Sequence, residues 1–250
     1  MQILSAAPIL VIDDNELFRR VLGALFEERR FPVKLAASPR EALAFLRTAF
    51  FSLVITDYVL DPGGDVERLA QALLDAAAPI PVGCLTGWTD IPKGIRSRYA
   101  FVLHKPVTAE ALLTEVGPLA SPRSYDPALA EMARAYFAGL SAASWDDVAS
   151  LCAADVRFSP PPRDRREPAI QGRDRFRSYM EETLRGFPNA TFELHDISFL
   201  PSGLIAGYRA SWRAASGARA DHPGQVLFTF EGARISTIDV RPADPDAAPS

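Results

Sequence analysis

Five residues carry groups that could meet in one reaction: the adjacent pair Asp13 and Asp14, then Asp57, Thr86 and Lys105. Three carboxylates in one pocket repel each other unless a cation neutralises them. An all-oxygen donor set suits a hard ion such as Mg2+. The hydroxyl of Thr86 and the fixed charge of Lys105 add what a phosphoryl group requires. A carboxylate attacks phosphorus, Mg2+ neutralises the phosphoryl oxygens, and the lysine takes the remaining charge. Each residue alone is ordinary, because an aspartate after a strand is usually a helix cap and a Lys-Pro pair is usually a turn. Their joint placement carries the argument.

That placement follows from the elements around them. Pro8–Ile12 (PILVI) is a continuous apolar run of the kind that forms a strand buried on both faces. Further strands are predicted at Pro32–Ala36, Ser52–Thr56, Pro81–Leu85 and Tyr99–Leu103. Helices alternate with them: Asn15–Arg30, one capped by Ser38 with Pro39 at its first position, Val66–Leu74, and Thr108–Leu119. The alternation predicts an α/β doubly wound, five-stranded parallel sheet. Asp13 and Asp14 follow the first strand, Asp57 the third, Thr86 ends the fourth and Lys105 follows the fifth. Strand C-termini share one edge of such a sheet, and ligands bind there.

The segments VIDDNELFRR, LVITDYVL, CLTG and LHKP make residues 8–119 resemble bacterial receiver domains of two-component response regulators, a flavodoxin-like fold. The resemblance implies that Asp13 and Asp14 hold Mg2+ and that Asp57 is the phosphoacceptor and third carboxylate ligand. It implies the backbone carbonyl of Val59 as a further ligand, Thr86 as the switch hydroxyl and Lys105 as the phosphoryl-binding lysine. It also implies a histidine kinase or phosphotransfer protein as partner. The sequence departs from the family at Val102, three positions before the lysine, where an aromatic residue is usual and where Phe101 is the neighbour. The Thr86–Lys105 segment is short and interrupted by Pro92, which predicts a fourth helix of one or two turns.

After a linker at 121–127, the order of elements changes. Helices are predicted at Pro127–Leu140, Trp145–Cys152 and Arg173–Phe187, with a short strand near Val156–Phe158. Strands follow at Ala190–Leu200, Leu204–Ala214, Gln225–Phe230 and Arg234–Arg241, the last two joined by a tight turn at Glu231-Gly232-Ala233. This is an α+β pattern. The stretches RAYFAGLSAASWDDVASLCAADVRF, QGRDRFRSYMEETLRGFPNATFELHDI and VLFTFEGARISTIDV resemble the SnoaL-like branch of the nuclear-transport-factor-like fold, a curved-sheet cone around a cavity. The resulting division is a receiver at 1–120, a SnoaL-like domain at 128–243 and a flexible tail at 244–250.

The resemblance places Tyr136, Phe158 and Tyr179 on the cavity wall. Related isomerases use two acids, and their positions fall near Ser159–Pro160 and Val226, neither acidic, so no catalytic residue is expected in this domain. His195 reads as a structural strand residue, and His222 falls in an apparent loop, Asp221-His222-Pro223-Gly224. The arginines at 163, 165, 166, 173, 175 and 177 are interleaved with acids and read as a solvated face. Large apolar groups recur on alternate positions in Tyr208–Trp212, which suggests a sheet face buried by a second copy, hence a homodimer.

The formal net charge of −4 over 250 residues and the lack of a DNA-reading motif argue against nucleic acid. No apolar run reaches membrane-spanning length and the first residues lack the pattern of a signal peptide, so no membrane role is expected. Cys84 and Cys152 have neither disulfide nor metal spacing, which fits two buried thiols and a cytoplasmic protein. The leading expectation is a response regulator whose C-terminal domain acts on an unknown downstream protein. The alternatives are a small-molecule sensor or a phosphorylation-regulated cyclase- or isomerase-type enzyme.

Overall fold

The computed structural model describes residues 3–4, 7–60, 63–121, 125–161, 169–187, 189–213 and 218–242. They fall into two compact units, residues 6–122 and residues 123–250 together with 1–5. Arg163, Arg165, Arg166, residues 122–124 of the expected linker and the expected tail lie outside the described residues.

The chain opens with a two-residue strand, β1 (Ile3–Leu4), which belongs to the second unit. The first unit then runs β2 (Ile9–Ile12), α1 (Glu16–Glu28), β3 (Val33–Ala36), α2 (Pro39–Thr48) and β4 (Leu53–Thr56). It continues through α3 (Val66–Ala77), β5 (Val82–Thr86), α4 (Lys93–Arg96), β6 (Phe101–His104) and α5 (Ala109–Ala120). All five strands are parallel, in the order β3-β2-β4-β5-β6. Every residue of β2, β4 and β5 is buried, as continuous apolar runs demand in a sheet covered on both faces. Local chemistry sets the helix starts. Asn15, Ser38, Asp65 and Thr108 each accept a first-turn backbone N–H, and the Glu41 carboxylate reaches back to Ala37 N–H. Helix α4 is a single turn after Pro92. Gly83 faces Phe101 across the β5–β6 ladder, and a Cβ there would sit 2.1 Å from the ring, so glycine is required for that close approach.

The second unit contains α6 (Pro127–Ser141), α7 (Trp145–Ser150), β7 (Cys152–Ser159), β8 (Ile170–Gln171) and α8 (Arg173–Arg185). Then come β9 (Thr191–Leu200), β10 (Gly203–Arg213), β11 (Arg219–Glu231) and β12 (Arg234–Pro242). The sheet order is β1-β9-β10-β11-β12-β7-β8, antiparallel through β9–β12 and parallel at β1–β9 and β12–β7. The core gathers Tyr136, Phe137, Phe158, Phe176, Phe228 and Ile238, from helices and one phase of the strands.

Three expectations are corrected. Ile3–Leu4 pairs with Asp196–Ile197, so the first residues do not belong with the receiver; they cover an edge of β9 that would otherwise leave ladder groups unpaired. Helix α7 stops at Ser150, and Cys152 already begins an eight-residue strand. The apparent loop at 221–224 is strand. Residues 219–223 pair with β10 alone among the described strands, and an open edge is where a strand tolerates proline.

Both cysteines are free and fully buried, and burial pushes each thiol up to about 12. Neither should react with a disulfide reagent at pH 8 in the native protein, and both should react after unfolding in guanidinium. A native protein that gives one fast equivalent would show that a thiol is not shielded.

Candidate functional site

At the carboxyl edge of the five-stranded sheet the ladders extend one residue beyond the strands. Asp13 N–H donates to Ala36 O (3.3 Å), Asp57 N–H to Ile12 O (3.1 Å) and Lys105 N–H to Thr86 O (2.8 Å). These bonds fix three backbones side by side and aim their side chains at one point. Lys105 Nζ donates to Asp13 Oδ2 (2.8 Å) and to Asp57 Oδ2 (2.5 Å). The two carboxylate oxygens are therefore no more than about 5 Å apart. Asp13 is buried, and the Asp57 side chain is 14% exposed. Burial works against the Lys105 charge, but the bonds from Asp13 and Asp57 outweigh it and hold the ammonium above its ordinary value.

The remaining bonds orient each group. Asp13 Oδ1 accepts Asn15 N–H (2.9 Å), and Arg19 donates to the Asp13 carbonyl (2.6 Å). Asp57 Oδ1 accepts Val59 N–H (3.1 Å), an Asx turn that leaves Oδ2 as the forward oxygen. Thr86 is fully buried and its hydroxyl accepts Trp88 N–H (3.0 Å). Phe18 places its ring 4.3 Å from Lys105 Nζ, a cation–π contact. Asp14 is exposed: it lies in the bend between β2 and α1, where Asn15 N–H turns back to Asp13 Oδ1. Among the described residues no three His, Cys, Asp or Glu groups are gathered as a metal cluster. Two carboxylates are gathered instead, with a lysine between them.

The pattern of polar residues singled out Asp13, Asp57, Thr86 and Lys105, but not the groups that hold them. Phe18 and Arg19 lie in the first turn of α1, where helical spacing after Asp13 could have found them. Val102 is half-buried and Phe101 is spent on Gly83. The aromatic groups beside the site are the buried Tyr58 and Tyr99, and Tyr99 is raised by burial first, then by Cys84, Tyr58 and Asp57.

The second unit encloses a cavity of about 180 Å3. Tyr136, Phe158 and Tyr179 line it, with Phe137, Tyr208 and Trp212. Among the described residues, none that lines it is acidic. A half-buried acid of this unit, Asp239, is raised by its partial burial, hydrogen-bonds Ser159 and lies in the other phase of β12 from the lining residue Val240. His195 is exposed on β9. His222 is no loop residue: its ring stacks on Trp212 at 4.5 Å and 9° and lines the cavity. Tyr208, Ala210 and Trp212 all face this interior, so the alternation in Tyr208–Trp212 is accounted for by the cavity, and the opposite phase there is Arg209 and Ser211. Arg177 pairs with Asp146 (2.5 Å) and Glu181 (3.0 Å) as part of a surface ion-pair chain.

Residues 9–117 match the family model described as a response regulator receiver domain, and residues 133–238 match that of a SnoaL-like domain. The chain is a receiver domain followed by a SnoaL-like domain. The receiver is 34% identical over 115 residues to the C4-dicarboxylate transport transcriptional regulatory protein DctD of Rhizobium meliloti (strain 1021), an alignment that takes in 44% of this chain and 25% of DctD. The chain thus spans about a quarter of that relative's length. Among solved structures, a CheY-like receiver domain protein of Methanospirillum hungatei JF-1 is 22% identical with a TM-score of 0.41, over 45% of this chain and 92% of that one. Bal32a, from a soil-derived mobile gene cassette, is 17% identical with a TM-score of 0.43, over 48% of this chain and 92% of that one.

Within the receiver, two charge-assisted bonds converge on one ammonium, and bonds of this kind contribute about 1.5–3 kcal/mol each when both partners are held. Because the two bonds share one partly exposed ammonium they do not sum, and Lys105→Met should destabilise the protein by about 1.5–3 kcal/mol at neutral pH in EDTA. Because the folded value of Lys105 is raised, its contribution is fully present below the ordinary lysine value of 10.5 and is lost as pH climbs through the folded value. Urea titrations of both proteins from pH 7 to 10 should show a constant gap. A gap that closes by pH 9 would mean that the ammonium is not what the variant lacks.

Proposed function

We propose that this protein is a cytoplasmic response regulator in which Asp57 accepts a phosphoryl group from a histidine kinase or phosphotransfer protein. The observation that carries the reading is the pinned Asp57 carboxylate, with Oδ1 tied to Val59 N–H and Oδ2 facing Lys105. Oδ2 forms the new bond to phosphorus as the bond from phosphorus to the donor imidazole nitrogen breaks, and that nitrogen keeps the electron pair. Lys105, freed from Asp57 as the carboxylate becomes an acyl phosphate, pairs with a phosphoryl oxygen. The Thr86 hydroxyl uses only its acceptor side toward Trp88, so its proton is available to a second phosphoryl oxygen. Leu17 and Val21, 74% and 55% exposed one turn apart on α1, give a protein partner apolar surface on the helix that follows Asp13.

Mg2+ fits this site, since the donors are oxygens and this ion is commonly held by one or two carboxylates with waters completing its shell. Asp13 and Asp57 would hold it, joined by the Val59 carbonyl, with exposed Asp14 at the rim. When bound, the ion supplies charge neutralisation for the phosphoryl oxygens. The SnoaL-like domain is read as the output module, acting on a downstream protein without chemistry of its own, because the described residues of its cavity wall include no carboxylate. No helix among the described residues is long and apolar enough to cross a membrane.

Incubation with acetyl phosphate and Mg2+ should add one phosphoryl group by intact mass, and Asp57→Ala or EDTA should abolish it. An adduct that persists in Asp57→Ala would move the acceptor elsewhere. In a fluorescence titration with Mg2+ alone, Asp13→Ala should weaken binding at least tenfold while Thr86→Ala leaves it within twofold. Equal losses in both would remove the ion from this pair of carboxylates.

A further inference from the structure

We propose that Phe18 is a positioning residue that works through Lys105: its ring face holds the ammonium between Asp13 and Asp57, and keeps it there for the phosphoryl oxygens when Asp57 is modified. The second half of the proposal rests on the reading of Asp57 as acceptor, and the first half stands on the contact itself.

The start of α1 sets the ring in place. Asn15 N–H donates to Asp13 Oδ1 (2.9 Å), and the Asn15 side chain caps the helix by accepting Phe18 N–H (3.0 Å). Arg19 ties the same turn to the Asp13 carbonyl (2.6 Å). Three bonds thus fix the backbone around Phe18 relative to Asp13, one of the two carboxylates that Lys105 reaches. Side chains on a helix lean toward its N-terminus, which here is the end joined to the sheet edge. The ring comes to lie 4.3 Å from Lys105 Nζ. The same side chain packs, partly buried, against the apolar core of the first unit, so the ring is held from behind as well.

An ammonium carries three N–H donors. Two go to Asp13 Oδ2 (2.8 Å) and Asp57 Oδ2 (2.5 Å), and among the described residues the ring of Phe18 is the remaining contact of Nζ. The Lys105 side chain is still 25% exposed, so its flexible stem has solvent to swing into. A ring face suits this position better than a third carboxylate would. It attracts the cation through its quadrupole, adds no net charge to a pocket that already holds two acids, and competes only weakly with oxygen. When Asp57 Oδ2 becomes bonded to phosphorus, its share of the ammonium is released. The ring then keeps Nζ beside Asp13 with a donor free for a phosphoryl oxygen. Without the ring, the ammonium would have to be brought back from solvent at each encounter, and the benefit of a fixed orientation would be lost.

Fluorine separates this role from simple packing, because it drains negative charge from the ring face while keeping the ring apolar and close to its size. The full chain is made with the ring of Phe18 carrying one, two or three fluorines, and is unfolded in urea with EDTA present. The transition that Lys105→Met shifts should lose stability step by step, about 2–5-fold in its equilibrium constant for the trifluorinated ring. In a Lys105→Met background the same series should be flat. Phe18→Leu gives the second arm: it should cost more beside Lys105 than beside the methionine, again by about 2–5-fold. Initial rates of labelling by acetyl phosphate and Mg2+ should fall about twofold or more across the series in the Lys105 chain and stay level in Lys105→Met. A flat stability series, or equal slopes in both backgrounds, would overturn the hold on the ammonium. A rate that ignores the fluorines while stability follows them would overturn the role in the reaction. If the unaltered chain takes no phosphoryl group at all, the acceptor reading fails and the reaction role with it, while the stability series still decides whether the ring holds Lys105.

Discussion

Two carboxylates held within about 5 Å in a mostly buried pocket repel each other, and a countercharge between them relieves that repulsion. The Lys105 ammonium supplies it, and the first unit is arranged to make that possible. Asp13, Asp57 and Lys105 come from three strands, and each is fixed by a backbone bond to its neighbour one step past the regular ladder. The parallel sheet is what brings sequence positions 92 residues apart into contact. Phe18 adds an aromatic face on the open side of the ammonium. The geometry is therefore strained electrostatically rather than sterically, and a phosphoryl group on Asp57 changes its balance directly. The lysine must then choose between Asp13 and the new oxygens, and Thr86 gains a partner for its proton.

Much of this edge was legible in the sequence because strands buried on both faces are written as unbroken apolar runs, and the residue after such a run has to lie at the sheet edge. ILVI, LVIT and VGCLT announce β2, β4 and β5, and Asp13, Asp57 and Thr86 follow by position alone. What pattern does not carry is direction. Asp13 and Asp14 are equivalent in sequence, yet one is buried against Lys105 and the other is exposed, because the chain bends at Asp14 on its way into α1. Ile3–Leu4 is likewise too short to show a period, so its pairing with β9 leaves no mark that could be read beforehand.

The second unit was harder to read for a related reason. Its cavity is defined by register across strands, not by spacing along one. Trp212 and His222 are ten residues apart in sequence and become stacked only because Ala210 pairs with His222 and Trp212 with Ala220 in the β10–β11 ladder. The Pro-Gly after His222 signals a turn by composition, but the open edge beside residues 219–223 lets the strand run through it. A two-residue turn was readable where it did occur, at Gly232-Ala233, since Gly232 adopts φ +56° and Glu231 pairs with Arg234.

The two units divide chemistry in a way that follows from their solvent. Around Asp57, charges lie close together at a partly open edge, where ions, lysine and water can trade places as a covalent group comes and goes. Inside the SnoaL-like domain, the wall is rings and methyl groups, and the one acid that burial raises, Asp239, sits in the opposite phase of its strand with Arg241 and Arg157 as its charge partners. Proton transfer at carbon needs a base within reach of the substrate. Tyr136 and Tyr208, both held protonated by burial, can donate a hydrogen bond but cannot serve as that base near neutral pH. The base on the described wall is the His222 imidazole, stacked on Trp212, and no described lining residue supplies a carboxylate to orient it.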